Sequence, residues 1–241
     1  MISLQKLSIS AAGALLLGLS AGNANAVIVG DNNTANCYPF SCGASDGLTI
    51  YQQIYDSTAF SDPISFGSIS FFKGLVNPFG GGLMDSATYK VSFSTTSKAI
   101  GGLNTNYLDN IGADNTEFGQ FNLSGSMPDV LTLTGNTFNY KPLVGNLLMT
   151  VEVLGLTETG GYQSFFQADS TGLKTGRLFG HNDYTGKDSY GLVTQFNEAK
   201  TVPDPTSVPE PTSTLALLGL AALGTGSISK RKQQQKATVR A

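Results

Sequence analysis

The sequence contains no tryptophan, one histidine and two cysteines in 241 residues. A single histidine and no second cysteine pair leave too few ligands for a zinc-type site. Charge is scarce too, at 13% of residues. No basic stripe with interleaved aromatics is present, which argues against a nucleic-acid partner. No window of core length in the middle of the chain carries an apolar period of 3.6, so a helical bundle is not expected. No internal repeat is visible. The absence of tryptophan weakens a carbohydrate-binding reading without closing it, because nine tyrosines and fourteen phenylalanines remain.

What is present divides the chain into parts. Near the start, Lys6 precedes an apolar stretch from Ile9 to Leu19, and Ala24-Asn25-Ala26 then gives a small-x-small pattern. This reads as a signal peptide over residues 1–26, with cleavage by signal peptidase after Ala26 and a mature start at Val27. From Val27 to Val208 there are eight basic residues and sixteen acids, a net charge of −8, against −3 for the whole chain. Such an acidic segment repels phosphate backbones and anionic lipid. Gly, Ser, Thr and Asn carry its polar surface, in the manner of an extracellular β-protein. It is long enough for one domain with a real core.

Strand patterns run through that segment. In ATYKVSFST (87–95), Ala87, Tyr89, Val91 and Phe93 fall on one face and Thr88, Lys90, Ser92 and Ser94 on the other. In LLMTVEVL (147–154), Leu147, Met149, Val151 and Val153 face inward against Thr150 and Glu152. ISFGSISFFK (64–73) is apolar on both faces, as in a central strand. Further strands are expected at 48–55, 117–124, 130–134, 137–140, 162–168, 176–180 and 190–196. Turn signals separate them at 77–82, 112–115, 134–136, 159–161 and 184–188. Residues 96–112 suit a short helix or a long crossover loop. The expectation is an all-β fold, an antiparallel β-sandwich or jelly roll over residues 27–196.

The chain then changes character. Residues 197–208 form a Pro-rich, extended linker. Pro209-Glu210-Pro211 leads into a fifteen-residue apolar run from Thr214 to Ile228, followed by Lys230-Arg231-Lys232. As a helix this run spans about 22 Å, short of a bilayer core of about 30 Å. It reads as a weak, transient membrane helix. The basic residues beyond it favour a cytoplasmic tail at 233–241, so both ends of the chain agree on an exported domain.

Pro209-Glu210-Pro211, a short apolar helix and Lys230-Arg231-Lys232, in that order and behind a signal peptide, resemble the PEP-CTERM sorting signal of Gram-negative bacteria. The resemblance covers residues 209–232 and the signal peptide. It implies recognition by an exosortase, a membrane-embedded transpeptidase-like enzyme. It also implies cleavage near Pro209-Glu210-Pro211, transient insertion in the inner membrane, and release or attachment at the cell surface, often alongside exopolysaccharide. The tail QQQKATVRA is longer than the family's usual abrupt end. Residues 94–115 and 138–153 are similar to ectodomains found with such tails, and that similarity supplies no activity.

Candidate chemistry is sparse. Cys37 and Cys42, with Pro39 between them, suit a small-loop disulfide in an oxidising compartment. The G-x-S-x-G pattern in GLSAG (18–22) lies inside the signal peptide. His181 with Asp183 could be written as part of a triad, but triads are recognised by geometry. Asp109, Asp114 and Glu117 could supply oxygens to Ca²⁺, without EF-hand spacing, or could simply stabilise turns. Tyr107, Tyr162 and Tyr184 lie in or near loops and are candidates for stacking on a sugar. The sequence is therefore expected to encode a non-enzymatic surface or matrix protein without a cofactor. A carbohydrate-binding module associated with exopolysaccharide is the alternative.

Overall fold

The computed structural model describes residues 26–74, 82–157, 163–181 and 184–199. The chain divides into two units, Met1–Lys200 and Thr201–Ala241, and all the described residues belong to the first. The signal segment up to Asn25, Pro209 to Pro211, the apolar run, the basic cluster and the tail all lie outside the described residues. Among the described residues, no helix is long and apolar enough to cross a membrane.

Thirteen strands are described: β1 (Ala26–Val29), β2 (Thr34–Asn36), β3 (Leu48–Tyr55), β4 (Ile64–Phe72) and β5 (Leu83–Thr96) come first. They are followed by β6 (Thr116–Ser126), β7 (Val130–Tyr140), β8 (Asn146–Thr157) and β9 (Phe166–Asp169). The last are β10 (Thr175–His181), β11 (Thr185–Asp188), β12 (Gly191–Leu192) and β13 (Thr194–Glu198). They form a four-stranded sheet β1-β13-β4-β7, a six-stranded sheet β11-β10-β3-β8-β5-β6 and a small sheet β12-β9-β2. Neighbouring strands in these sheets pair antiparallel. Among the described residues, helix is confined to one turn, α1 (Gly43–Asp46), and three short 3₁₀ segments.

Alternation decides which faces meet. Tyr89, Val91 and Phe93 of β5 and Met149 and Val151 of β8 are fully buried, as their period of two requires. Across from them lie Phe66 of β4 and Phe196 of β13. Phe66 and Phe93 touch edge to face with centroids 4.9 Å apart, and Phe66 and Phe196 at 5.0 Å. Tyr55 meets Phe196 at 5.0 Å and 84°. Tilted and T-shaped contacts are the favoured ones for ring quadrupoles. Phenylalanine and tyrosine thus do the filling that tryptophan cannot do here. Two antiparallel sheets packed across one aromatic core are consistent with a β-sandwich.

The outer face of the six-stranded sheet is also covered. Leu103 of the loop 97–115 packs with Ile54, Leu148 and Leu178 in a second, smaller core, joined by Ile100, Tyr107 and Ile111. Gln52, fully buried, donates to Thr150 Oγ1 at 3.1 Å and to the Tyr107 carbonyl at 3.0 Å. Asn110 Nδ2 donates back to Gln52 Oε1 at 2.8 Å. This explains one departure from simple alternation. Ser92, Ser94 and Thr150, expected outward, are buried because the loop lies over that face. The loop holds a single 3₁₀ turn, Tyr107–Asn110.

Three other boundaries differ from expectation. Residues 130–134 and 137–140 belong to one strand, β7, and the glycine turn expected between them is an irregularity in the ladder to β4. A Cβ at Gly135 would stand 2.2 Å from the carbonyl oxygen of Phe118, so only glycine lets β6 approach there. Residues 185–188, expected as a turn, form β11, paired with β10. Finally, 190–196 is broken at Val193 into β12 and β13, and β13 runs through Asn197 and Glu198, two residues into the expected linker.

Candidate functional site

In β10 the residues alternate between two environments. Leu178 points into the small outer core. Arg177, Phe179 and His181 lie on the opposite face, half-buried. Arg177 is opposite Gln53 and Phe179 opposite Tyr51, so this row continues the inner face of β3. Here that face is closed by the small sheet and by the loop between the cysteines. Gln53 Nε2 donates to the Leu192 carbonyl and Gln53 Oε1 accepts from the Leu192 N–H, both at 2.7 Å. One buried side-chain amide thus stands in for a strand neighbour and satisfies β12.

Cys37 and Cys42 are disulfide-bonded with their Cα atoms 5.7 Å apart, as the spacing and the oxidising context lead one to expect. The loop they close sends its two rings in opposite directions. Phe40 is fully buried against Phe71, Tyr89 and Phe166, at 5.2, 5.1 and 5.6 Å. Tyr38 lies over β10, 5.4 Å from Phe179 and 5.8 Å from His181.

Arg177 holds this region together. Its Nε and Nη2 bind Asp188 Oδ1 and Oδ2 at 2.6 and 2.9 Å, a bidentate pair, and its Nη1 donates to Asn36 Oδ1 at 2.5 Å. The guanidinium carbon is 4.9 Å from the Phe179 ring centroid, 5.4 Å from that of Tyr38 and 5.8 Å from that of Tyr190. These are cation–π distances. The side chain is only 10% exposed. Asn36 completes the clamp. Its Nδ2 donates to the carbonyls of Tyr38 and Tyr190 at 3.2 and 3.0 Å, and its Oδ1 accepts from the Tyr38 N–H at 2.9 Å.

Beside this clamp lies a cleft of about 500 Å³, lined among others by Tyr38, the disulfide, Asp46, Phe165, Asp188 and Tyr190. A smaller one of about 270 Å³ lies against Arg177 and Asp188 too, bounded by Gly101, Leu103, Gly176 and Lys187. The Tyr38 hydroxyl donates to the Asp46 carboxylate. Burial, then that hydrogen bond and the nearby carboxylate charge, push the Tyr38 phenol well above the usual tyrosine range, so it stays a donor at neutral pH.

The residues singled out from sequence fare differently. His181 is in the ring row, stacked on Tyr184 with centroids 6.2 Å apart and planes at 13°. Among the described residues its buried Nδ1 has no hydrogen-bond partner, so none of them supplies the orienting contact a triad needs at that atom. Asp183 lies outside the described residues. Asp109, Asp114 and Glu117 are not brought together. Asp109 accepts from Asn104, Asp114 from the N–H and hydroxyl of Thr95, and Glu117 from Gln120. Among the described residues, no group of three His, Cys, Asp or Glu is placed to hold a metal. The turn-stabilising role is the one observed for Asp109 and Asp114. Tyr107 is packed in the outer core instead of presenting a face, Tyr162 lies outside the described residues, and Tyr184 is 63% exposed. Sequence reasoning missed Tyr38, Tyr190 and Arg177. The available signal was that Arg177 is the single arginine between Val27 and Val208, and arginine is the side chain suited to buried bidentate pairing and ring stacking.

The described residues define an antiparallel β-domain with a disulfide-bonded loop and an aromatic cleft beside it. At the other end of the chain, a family model of the PEP-CTERM protein-sorting motif matches residues 207–232. The chain therefore carries a PEP-CTERM protein-sorting motif. The motif spans Pro209-Glu210-Pro211 and Lys230-Arg231-Lys232, and it marks a protein sorted by an exosortase. No curated protein and no solved structure matches the chain.

Proposed function

We propose that this is an exported, non-enzymatic protein of the cell surface or extracellular matrix, cut from its C-terminal signal near Pro209-Glu210-Pro211 by an exosortase-type transpeptidase. The sorting motif at 207–232 carries the reading. The signal-peptide pattern at 1–26, the Cys37–Cys42 disulfide and the net charge of −8 between Val27 and Val208 support it. The apolar run at 214–228 acts as a temporary stop-transfer handle in the inner membrane, with Lys230, Arg231 and Lys232 on the cytoplasmic side. Replacing Pro209, Glu210 and Pro211 together by alanine tests it. The variant should keep its C-terminal segment and stay with the inner membrane, while the wild type reaches the surface shortened. Equal shortening of both would refute sorting through these three residues.

A carbohydrate-binding role is the second reading, favoured by one observation. Tyr38 and Tyr190 line a cleft in which carboxylates and amides stand beside ring faces, the mixture that small polar ligands require. A glycan array probed with the exported protein separates the two readings. Blank spots throughout leave the structural role alone.

A further inference from the structure

Building on the carbohydrate-binding reading, we propose that the cleft beside the disulfide is the binding site, that Tyr190 is its stacking platform, and that its ligand is a neutral oligosaccharide. Three features of the site support this: the way the rings are held, the charge around them and the size of the space.

Tyr190 is 41% exposed, yet its backbone is fixed on both sides. Its N–H donates to Asp188 Oδ1 at 2.8 Å, and its carbonyl accepts from Asn36 Nδ2 at 3.0 Å. The same Asn36, itself 5% exposed, fixes Tyr38 through both its N–H and its carbonyl. Two tyrosines on distant parts of the chain are thus set by one buried amide and one ion pair. A ring with its backbone already ordered loses less freedom on meeting a ligand. A tyrosine also offers an apolar face for sugar C–H groups with a hydroxyl at its end. A purely structural clamp explains Arg177 and Asn36, but it does not require an exposed Tyr190 ring.

Charge selects the class of glycan. Among the described residues, Arg177 is the one cation lining this cleft, and its nitrogens are engaged by Asp188 and Asn36. Asp46 remains as a further carboxylate, accepting from Tyr38. The cleft therefore offers acceptors and planar amides such as Gln163 for sugar hydroxyls, and no spare cation for a uronate or a sulfate. The acidic domain around it adds repulsion of polyanions. At about 500 Å³ the cleft falls within the size range of small-ligand sites, which suits a short oligosaccharide.

The test is titration calorimetry with protein expressed as the full chain and recovered after export. The probes are neutral gluco-, galacto- and manno-configured hexa-oligosaccharides and an oligogalacturonate of matched length. The expected result is binding of at least one neutral probe, weaker by tenfold or more in Tyr190→Ala, with no gain from the uronate. Gln163→Ala serves as a second variant on the cleft rim, and each variant should keep the wild-type near-ultraviolet spectrum at the assay temperature, with a slightly lower thermal midpoint for Tyr190→Ala, which loses its ring contact with Arg177. Neutral binding that Tyr190→Ala and Gln163→Ala leave unchanged would overturn the site while sparing the glycan reading. Tighter binding of the uronate would overturn the neutral class. No binding to any probe would overturn the glycan reading and the site with it.

Discussion

Arg177 shows how much one side chain organises here. It bridges β10, β11, β2 and the disulfide loop through Asp188, Asn36 and three rings. Arg177→Ala removes one partner of a mostly buried pair, leaves Asp188 without its counter-charge and the donor to its Oδ2, and takes from Asn36 Oδ1 one of its two donors. A loss of about 2–4 kcal/mol is expected in denaturant unfolding. Arg177→Lys should recover only part of it, since an ammonium cannot reproduce the fork. Asp169 is the second telling residue. Burial alone would raise its carboxyl. Hydrogen bonds from the Thr171 hydroxyl and N–H and from Asn33 outweigh that, and its value falls below the ordinary 3.8. The folded state therefore prefers the carboxylate. Its contribution to stability is complete above the ordinary aspartate value and is lost as pH falls through the lowered one. Thermal midpoints measured between pH 6 and pH 2.5 should drop at the acid end, and less steeply in Asp169→Asn. Neither residue announces itself in sequence: Arg177 depends on Asn36, 141 positions away, and on Asp188 across a hairpin, while Asp169 joins its neighbour Thr171 to Asn33, 136 positions away.

At the scale of elements, the long strands were legible, while the short β1, β2 and β11 and most strand limits were not. The period of two in 87–95 and 147–154 placed Tyr89, Val91, Phe93, Met149 and Val151 correctly in the core. The doubly apolar 64–73 stretch is indeed central, with β13 on one side and β7 on the other. The turn signal at 134–136 misled because a glycine also marks close backbone approach. Gly135 is there for the Phe118 carbonyl, so Gly135→Ala should destabilise by about 1–3 kcal/mol, read as a lower urea midpoint. Between the sheets, Phe66 touches Phe93, Phe118, Phe138 and Phe196. Phe66→Ala should cost about 3–5 kcal/mol by the same measurement. The outer core under the loop 97–115 was hidden for a different reason. Its apolar residues, Ile100, Leu103, Tyr107 and Ile111, are spaced 3, 4 and 4 apart as on a helix face, yet they hang from a loop with one 3₁₀ turn, pinned by Gln52 and Asn110.

For the whole molecule, destination was more legible than activity. The order of a proline motif, an apolar run and a basic cluster is a linear signal that needs no fold to be recognised, and the matched motif covers it. The cleft was not legible, because it is assembled from β2, the disulfide loop, α1 and β10–β12. The domain's ends suit processing at both termini. β1 pairs with β13, with Ala26 opposite Asn197, so the first and last described strands are neighbours in one sheet. A cut after Ala26 leaves Val27 to Val29 in their ladder. On the proposed function, both flanking segments are removed on the way to the surface. Mass spectrometry of both termini, on protein recovered from the cell surface, tests it most directly. That protein should start at Val27 and end near Pro209. An intact Ala241 on that surface protein would contradict it.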